Sequence, residues 1–177
     1  MSERVQIMNA SAFQRALSRI AHEIAERNEN PGDVLLVGVQ RGGVHLARRL
    51  GDLLASIWNQ PVPVGTLDVS MHRDDLDRHI APQVHPTHIP TDINGKTAVL
   101  VDDVLFSGRT TRAALDALND FGRPQKIQLA VFIDRGHREL PIKADFVGKV
   151  VPTTLQERIN VLMKETTGSD GVELQKP

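Results

Sequence analysis

The sequence contains no cysteine and no tyrosine, and only 3% of its residues are aromatic. The absence of cysteine excludes disulfides, thiolate nucleophiles and cysteine-ligated metal sites. Few aromatic residues leave a core of Val, Ile, Leu and Ala, as in α/β folds with buried parallel strands. A formal net charge of −1 provides no overall attraction to nucleic acid, so such a role needs a local basic patch. The chain lacks both a signal-peptide pattern and the roughly 18 apolar residues of a membrane span, and we expect a cytoplasmic, non-membrane protein.

The order of predicted elements indicates a single α/β domain over residues 1–177. Alternating strands and helices predict a mostly parallel sheet flanked by helices on both faces. A long polar segment at 70–94 is typical of disorder or of a functional lid. The tail from residue 166 is expected to be frayed, with 172–174 as a candidate edge strand. The predicted helices cover 11–28, 44–54 and 110–118, and the predicted strands cover 33–39, 63–69, 97–101, 127–133, 146–151 and 159–163.

The segment VLVDDVLFSGRTT at residues 99–111 carries the strongest chemical signal. A buried strand predicted to end at Val101 places Asp102 and Asp103 at its carboxyl end, where open α/β sheets bind ligands. The following turn, SGRTT, opens a helix whose first backbone N–H groups can hold an anion. Carboxylates beside an anion site suit a phosphorylated ligand that also carries hydroxyl groups. The plain alternative is an ordinary helix cap after a polar loop.

This segment resembles the phosphoribosyl pyrophosphate signature of type I phosphoribosyltransferases. Residues 18–28, 38–50, 72–76 and 122–149 further resemble the pyrimidine operon attenuation proteins that are also uracil phosphoribosyltransferases. The resemblance implies a type I phosphoribosyltransferase fold with a small hood and a flexible loop at about 70–94. It also implies a reaction in which uracil and phosphoribosyl pyrophosphate give UMP and pyrophosphate.

The resemblance also implies roles for individual residues. Asp102 and Asp103 would hold the ribose hydroxyls, and Arg73 would reach the pyrophosphate from the flexible loop. The 5-phosphate would bind the turn of Val104, Leu105, Phe106, Ser107, Gly108, Arg109, Thr110 and Thr111. The pyrophosphate loop would be Gln40, Arg41 and Gly42, often with a non-proline cis peptide in this superfamily, and the nucleobase would lie near Asp134, Arg135 and Ile159. Plainer interpretations are a strand-to-helix turn for Gly42 and Gly43, a solvated loop for residues 72–75 and a structural role for Asp134.

The expected cofactor is Mg²⁺ bound to phosphoribosyl pyrophosphate, because the sequence offers no all-protein metal cage. The expected small-molecule partners are uracil, phosphoribosyl pyrophosphate, UMP and UTP. Two alternatives stay open: a regulator that uses the nucleotide site only as a sensor, and a purine salvage phosphoribosyltransferase.

The attenuation activity implies binding of a leader messenger RNA stem-loop by a basic face in a homo-oligomer. The matching positions are Arg19, Arg27, His137, Arg138, Lys143 and Lys149. Ser18 and Gln40 depart from the family pattern, and aromatic platforms for single-stranded RNA are absent. The alternative is an ordinary charged surface.

Overall fold

The computed structural model describes residues 2–73 and 84–177, so Asp74, Asp75 and Arg78 of the expected flexible loop lie outside the described residues. In chain order the elements are β1 (Arg4–Met8), α1 (Ala10–Arg27), β2 (Val34–Val39), α2 (Gly42–Trp58), β3 (Val64–Leu67), β4 (Thr97–Leu105), α3 (Arg109–Leu118), β5 (Lys126–Asp134), β6 (Phe146–Val150), β7 (Arg158–Leu162), α4 (Lys164–Thr167) and β8 (Gly171–Gln175).

Five parallel strands form the central sheet in the order β3-β2-β4-β5-β6. Alternate residues of β4 face opposite sides, as the strand period requires. Val99 and Val101 pack with α1 and α2, whereas Ala98 and Leu100 pack with α3. The predicted parallel sheet covered on both faces is therefore confirmed.

A second sheet, which we call the hood, is antiparallel and has the order β1-β8-β7. Its central strand corrects the expectation of a frayed tail with an edge strand, because β8 pairs on both sides and Val172 is fully buried. The sequence pattern does not predict strand β1. Its five residues pair only with the far end of the chain, so no neighbouring segment signals the strand.

An ion cluster ties the hood to α2. Arg49 of α2 donates two hydrogen bonds to Glu165 in α4 and two to Asp170 just before β8. The guanidinium also lies over the ring of Phe13, 5.5 Å from its centroid. We call Arg49, Glu165 and Asp170 the Arg49 cluster.

None of the helices within residues 2–73 and 84–177 is long and apolar enough to cross a membrane.

Candidate active site

The two adjacent acids lie within the last part of β4, not after it, because the strand continues to Leu105 instead of ending at Val101. Asp102 is 8% exposed, whereas Asp103 is half-buried. The Asp103 backbone N–H donates to Oδ1 of Asp102 at 2.8 Å, and the Val104 N–H donates to Oδ1 of Asp103 at 2.8 Å. Burial, reinforced by the neighbouring Asp103 carboxylate, raises the pKa of Asp102 well above its ordinary value. Asp103 is therefore the more accessible acid of the pair.

Two cavities meet at Asp103. One of about 440 Å³ lies between the start of α2 and the hood, and it includes Gln40, Arg41 and Gly42. The other, of about 360 Å³, lies against the hood strands and includes Ile159. The structure thus brings the expected pyrophosphate loop and one expected nucleobase residue to the same carboxylate.

The expected pyrophosphate loop joins β2 to α2 and contains a cis peptide bond between Gln40 and Arg41. The two glycines that follow are packed against β4. A Cβ atom at Gly42 would overlap the Asp103 carboxylate, and one at Gly43 would overlap the Val101 carbonyl oxygen. The close approach of α2 to the acid pair therefore depends on side-chain-free residues at these two positions.

The expected 5-phosphate turn connects β4 to α3. Gly108 has φ of +92°, a left-handed conformation that favours glycine, and the helix begins at the next residue. The Ser107 carbonyl oxygen accepts hydrogen bonds from the backbone N–H groups of Glu139 and Leu140 at 2.9 and 3.2 Å, which fixes the turn against the segment after β5. Thr111 is buried and lines a separate cavity of about 190 Å³ on the α3 side. The more accessible hydroxyl-bearing residues of the turn are Ser107 and Thr110.

Arg135 follows β5 and is buried beside Phe106 of the expected 5-phosphate turn. Its guanidinium lies 4.2 Å from the ring centroid of Phe106, and it donates to Oγ1 of Thr153 at 3.0 Å and to the Thr154 carbonyl at 2.9 Å. Burial lowers the pKa of this guanidinium. Asp134 accepts hydrogen bonds from the Gly136 N–H and from Arg138, so its carboxylate organises the turn after β5.

Comparison with known proteins identifies the family of this chain. Residues 4–158 match the phosphoribosyl transferase domain family. The chain is 58% identical over 97% of its length to the bifunctional protein PyrR of Chloroflexus aurantiacus, covering 95% of that protein. The chain belongs to the PyrR family of phosphoribosyltransferases. PyrR of Roseiflexus is 61% identical, with 94% of this chain and 92% of that protein covered, and PyrR of Thermus thermophilus is 53% identical, with 98% and 97% covered.

Solved structures agree on the fold. A hypoxanthine phosphoribosyltransferase from Trypanosoma cruzi superposes with a TM-score of 0.77 at 20% identity, covering 99% of this chain and 96% of that one. At this identity the likeness shows the phosphoribosyltransferase fold alone. The expected family, fold and enzyme class are thereby confirmed for this PyrR relative.

The six residues expected to bind RNA divide into two groups in this PyrR relative. Arg138 donates to the carbonyl oxygens of Ile142 and Phe106, each at 2.9 Å, and pairs with Asp134. His137 has its Nε2 2.6 Å from the Thr153 carbonyl oxygen. Both therefore lie beside Phe106 of the expected 5-phosphate turn and form contacts within the protein itself.

The other four residues lie on α1, on β6 or just before β6, where Lys143 also borders the cavity on the α3 side. We call them the α1–β6 basic edge: Arg19, Arg27, Lys143 and Lys149. Arg19 donates to the carbonyl oxygens of Val147 and Gly148, and Arg27 pairs with Asp145 at 3.2 Å. Lys143 and Lys149 are exposed.

Arg73 is exposed and lies directly before residues 74–83, which are outside the described residues. Sequence reasoning missed the residue that organises this region, Asp68. Its carboxylate accepts hydrogen bonds from the backbone N–H groups of Ser70 at 2.9 Å and His85 at 2.7 Å. These bonds connect the residues just after β3 to the chain at His85. These hydrogen bonds lower the pKa of Asp68 against the opposing effect of burial, which is the largest single contribution. No sequence pattern marks this acid, because its second partner lies 17 residues away.

Proposed function

We propose that this chain transfers the phosphoribosyl group of phosphoribosyl pyrophosphate to uracil, forming UMP and pyrophosphate. We further propose that it binds a leader messenger RNA stem-loop in response to UMP or UTP and so attenuates transcription of pyrimidine biosynthesis genes. The observation that carries the proposal is 58% identity to a PyrR protein over nearly the full chain, together with Asp102 and Asp103 beside a helix N-terminus whose N–H groups can attract an anion.

The reaction forms a bond between uracil N1 and ribose C1 and breaks the bond from C1 to the pyrophosphate oxygen. The bonding electrons leave with pyrophosphate, and the N1 proton is released to solvent. The 5-phosphate would bind the turn from Val104 to Thr111, where helix N–H groups attract an anion. Asp103 would accept a ribose hydroxyl, because it faces both cavities, and Asp102 beneath it would fix its backbone through the hydrogen bond from the Asp103 N–H.

Phosphoribosyltransferases generally use Mg²⁺ together with phosphoribosyl pyrophosphate. Within residues 2–73 and 84–177, no group of three acids or histidines gathers closely enough to hold a metal ion. The accessible Asp103 carboxylate beside the Arg41 loop fits an ion that is bound mainly by substrate oxygens, as Mg²⁺ prefers. Such an ion would neutralise the charge of the departing pyrophosphate.

The nucleobase is proposed to lie between the turn after β5 and the hood strand that carries Ile159. Arg135 would position the residues around the nucleobase, since its guanidinium already contacts Phe106, Thr153 and Thr154. Uracil carries little charge, so backbone hydrogen bonds and the mixed polar and apolar side chains of the hood, among them Ile159, Asn160 and Gln175, would select it. Arg73 would reach the pyrophosphate from the loop at 70–94.

The RNA activity is proposed to use the α1–β6 basic edge, where two exposed lysines accompany two arginines. A second copy of the chain in a cytoplasmic homo-oligomer would extend this surface. His137 and Arg138, although expected on the same face, are proposed to contribute mainly by shaping the turn after β5.

A turnover assay with a panel of nucleobases tests the enzyme half. Uracil should be the preferred acceptor, and hypoxanthine and guanine should react poorly. Preference for a purine would favour the salvage alternative, while binding of UMP without any turnover would favour the sensor alternative. Filter binding to a pyrimidine leader stem-loop and to random RNA of equal length, with and without UMP, tests the regulatory half.

A further inference from the structure

The first turns of α2 carry a basic stripe that extends the pyrophosphate side of the site. Arg41 precedes the helix, and His45 and Arg48 follow four and seven positions later, a spacing that places all three on one helix face. All three line the 440 Å³ cavity beside Asp103. The opposite wall is formed by Val161, Met163 and Thr166 of the hood and α4.

The positive charge of Arg41 and Arg48 is available to a ligand, whereas His45 also lies close enough to Glu165 to help lower the pKa of that carboxyl. Among residues 2–73 and 84–177, neither Arg41 nor Arg48 forms a hydrogen bond or ion pair with another side chain. The neighbouring Arg49, by contrast, is fully engaged with two carboxylates of the Arg49 cluster. Asp103 is the sole carboxylate in the described lining of the cavity, and it lies at the end nearest the proposed ribose position.

The stripe is longer than the loop expected to bind pyrophosphate. From Arg41 to Arg48 the helix rises by about 10 Å, at roughly 1.5 Å per residue. The loop at Gln40, Arg41 and Gly42 occupies only the end of the cavity next to Asp103. A diphosphate that leaves ribose C1 beside Asp103 and passes this loop therefore meets His45 and Arg48 next.

We infer that His45 and Arg48 bind the outer phosphate of a diphosphate, either as the diphosphate ester of the sugar substrate or as free pyrophosphate. The inference rests on the proposed function, because it takes the ribose to lie at Asp103. It assigns to two residues of α2 a part in substrate binding and product release that the loop alone would not provide.

Calorimetric titration with magnesium pyrophosphate tests the inference without turnover. Arg48→Gln should weaken pyrophosphate binding by about tenfold, which corresponds to roughly 1.4 kcal/mol for one charge-assisted contact. His45→Gln should weaken it by a smaller factor, and Arg48→Lys should restore most of the affinity. UMP binding, which uses the 5-phosphate turn, should stay within about twofold of wild type in every variant.

The same variants in the turnover assay separate the two sources of diphosphate. If the ester is bound in the same way, Arg48→Gln should raise KM for phosphoribosyl pyrophosphate while KM for uracil stays unchanged. A rise confined to the inhibition constant of pyrophosphate, which means weaker product inhibition at unchanged KM for phosphoribosyl pyrophosphate, would restrict the site to free pyrophosphate. Arg123→Gln is the matched control, since it removes the same charge from an exposed position at the opposite end of the central sheet.

The outcomes are distinguishable. Wild-type pyrophosphate affinity in Arg48→Gln, with normal UMP binding, would overturn the inference and leave the proposed function intact. Parallel loss of UMP and pyrophosphate binding in that variant would also overturn it, since the effect would be structural. Wild-type protein that binds neither ligand would overturn the proposed function itself.

Discussion

Replacing Arg49 with methionine is expected to destabilise the protein strongly, because this side chain joins α2 to the hood. Its Nε donates to Glu165 at 2.8 Å, and its two terminal nitrogens donate to Asp170 at 2.9 and 2.8 Å. The side chains of Arg49 and Asp170 are only 13% and 7% exposed. Solvent therefore screens these interactions far less than it screens a surface ion pair.

The size of the effect follows from what is left behind. Breaking a buried ion pair by removing one partner costs about 3–5 kcal/mol, because the remaining charge is uncompensated. Asp170 keeps hydrogen bonds from the Lys164 N–H and from Gln14, so the lower end applies. We expect a decrease of about 3 kcal/mol in the free energy of unfolding, which lowers Tm by roughly 6–12 °C for a domain of this size.

Urea and thermal melts at several pH values provide the assay. Arg49 holds the pKa of both Glu165 and Asp170 below their ordinary values. Stability from a lowered carboxyl pKa is present above the unfolded pKa of about 4 and is lost as pH falls through the folded pKa. The difference in unfolding free energy between wild type and Arg49→Met should therefore be largest at neutral pH and should decrease below about pH 4.

Arg48→Met serves as the control, since it makes the same change one residue earlier on the same helix. Its exposed side chain has no ion pair within the described part of the chain, so its unfolding free energy should stay within about 0.5 kcal/mol of wild type. Equal stability of the two methionine variants would refute the reasoning. If the difference in unfolding free energy between wild type and Arg49→Met is unchanged at pH 3, packing and not charge accounts for the destabilisation.

Four further results are expected. Asp103→Asn should lower turnover at least about tenfold at unchanged Tm, because a charged hydrogen-bond partner contributes about 1.5–3 kcal/mol, and wild-type turnover would exclude its proposed role. Arg73→Ala should lower kcat more than it weakens UMP binding, whereas an unchanged kcat with raised KM for both substrates would contradict this role. Arg27→Ala combined with Lys149→Ala should reduce the salt slope of RNA binding by roughly 0.7–0.9 for each phosphate that is no longer neutralised, while uracil turnover stays unchanged. An unchanged slope in filter binding would show that the α1–β6 basic edge does not bind RNA. Asp134→Asn should reduce the tightening of RNA binding by UMP while RNA affinity without UMP stays unchanged, and an undiminished UMP effect would exclude Asp134 from the coupling.

The central sheet could be predicted from sequence because its three inner strands, β2, β4 and β5, are mostly buried and carry apolar runs. The run at 97–101 predicts the start of β4 correctly but not its extension to Leu105, since Asp102 and Asp103 interrupt the apolar pattern while the backbone stays extended. The sequence pattern did not predict strand β1 of the hood or the central place of β8, for another reason. Strands β1 and β8 take their register from each other across nearly the whole chain, and a single sequence carries no signal of that pairing.

Local motifs predicted which segments lie together near the acid pair, but they did not predict individual side-chain contacts. The acid pair, the SGRTT turn and the two glycines act through the backbone of one short segment each, so their placement could be inferred from the chain. The partners of Arg138 could not, because the carbonyl oxygens of Phe106 and Ile142 come together only when the turn after β5 folds against β4. His45 and Arg48 had a recognisable signal, the helical spacing from Arg41, which sequence reasoning did not use.

The two proposed activities are joined by one pair of strands. Lys149 of the α1–β6 basic edge pairs with Ile133, and Val150 pairs with Asp134, so β6 leads from the edge directly to the carboxylate that holds Arg138. Arg138 in turn binds the Phe106 carbonyl inside the proposed 5-phosphate turn. A nucleotide that orders this turn would therefore also favour one position of β6, and linkage requires RNA to tighten nucleotide binding by the same factor. An alanine at Arg138 would disturb both activities at once, whereas Arg27 and Lys149 lie where RNA binding can change alone.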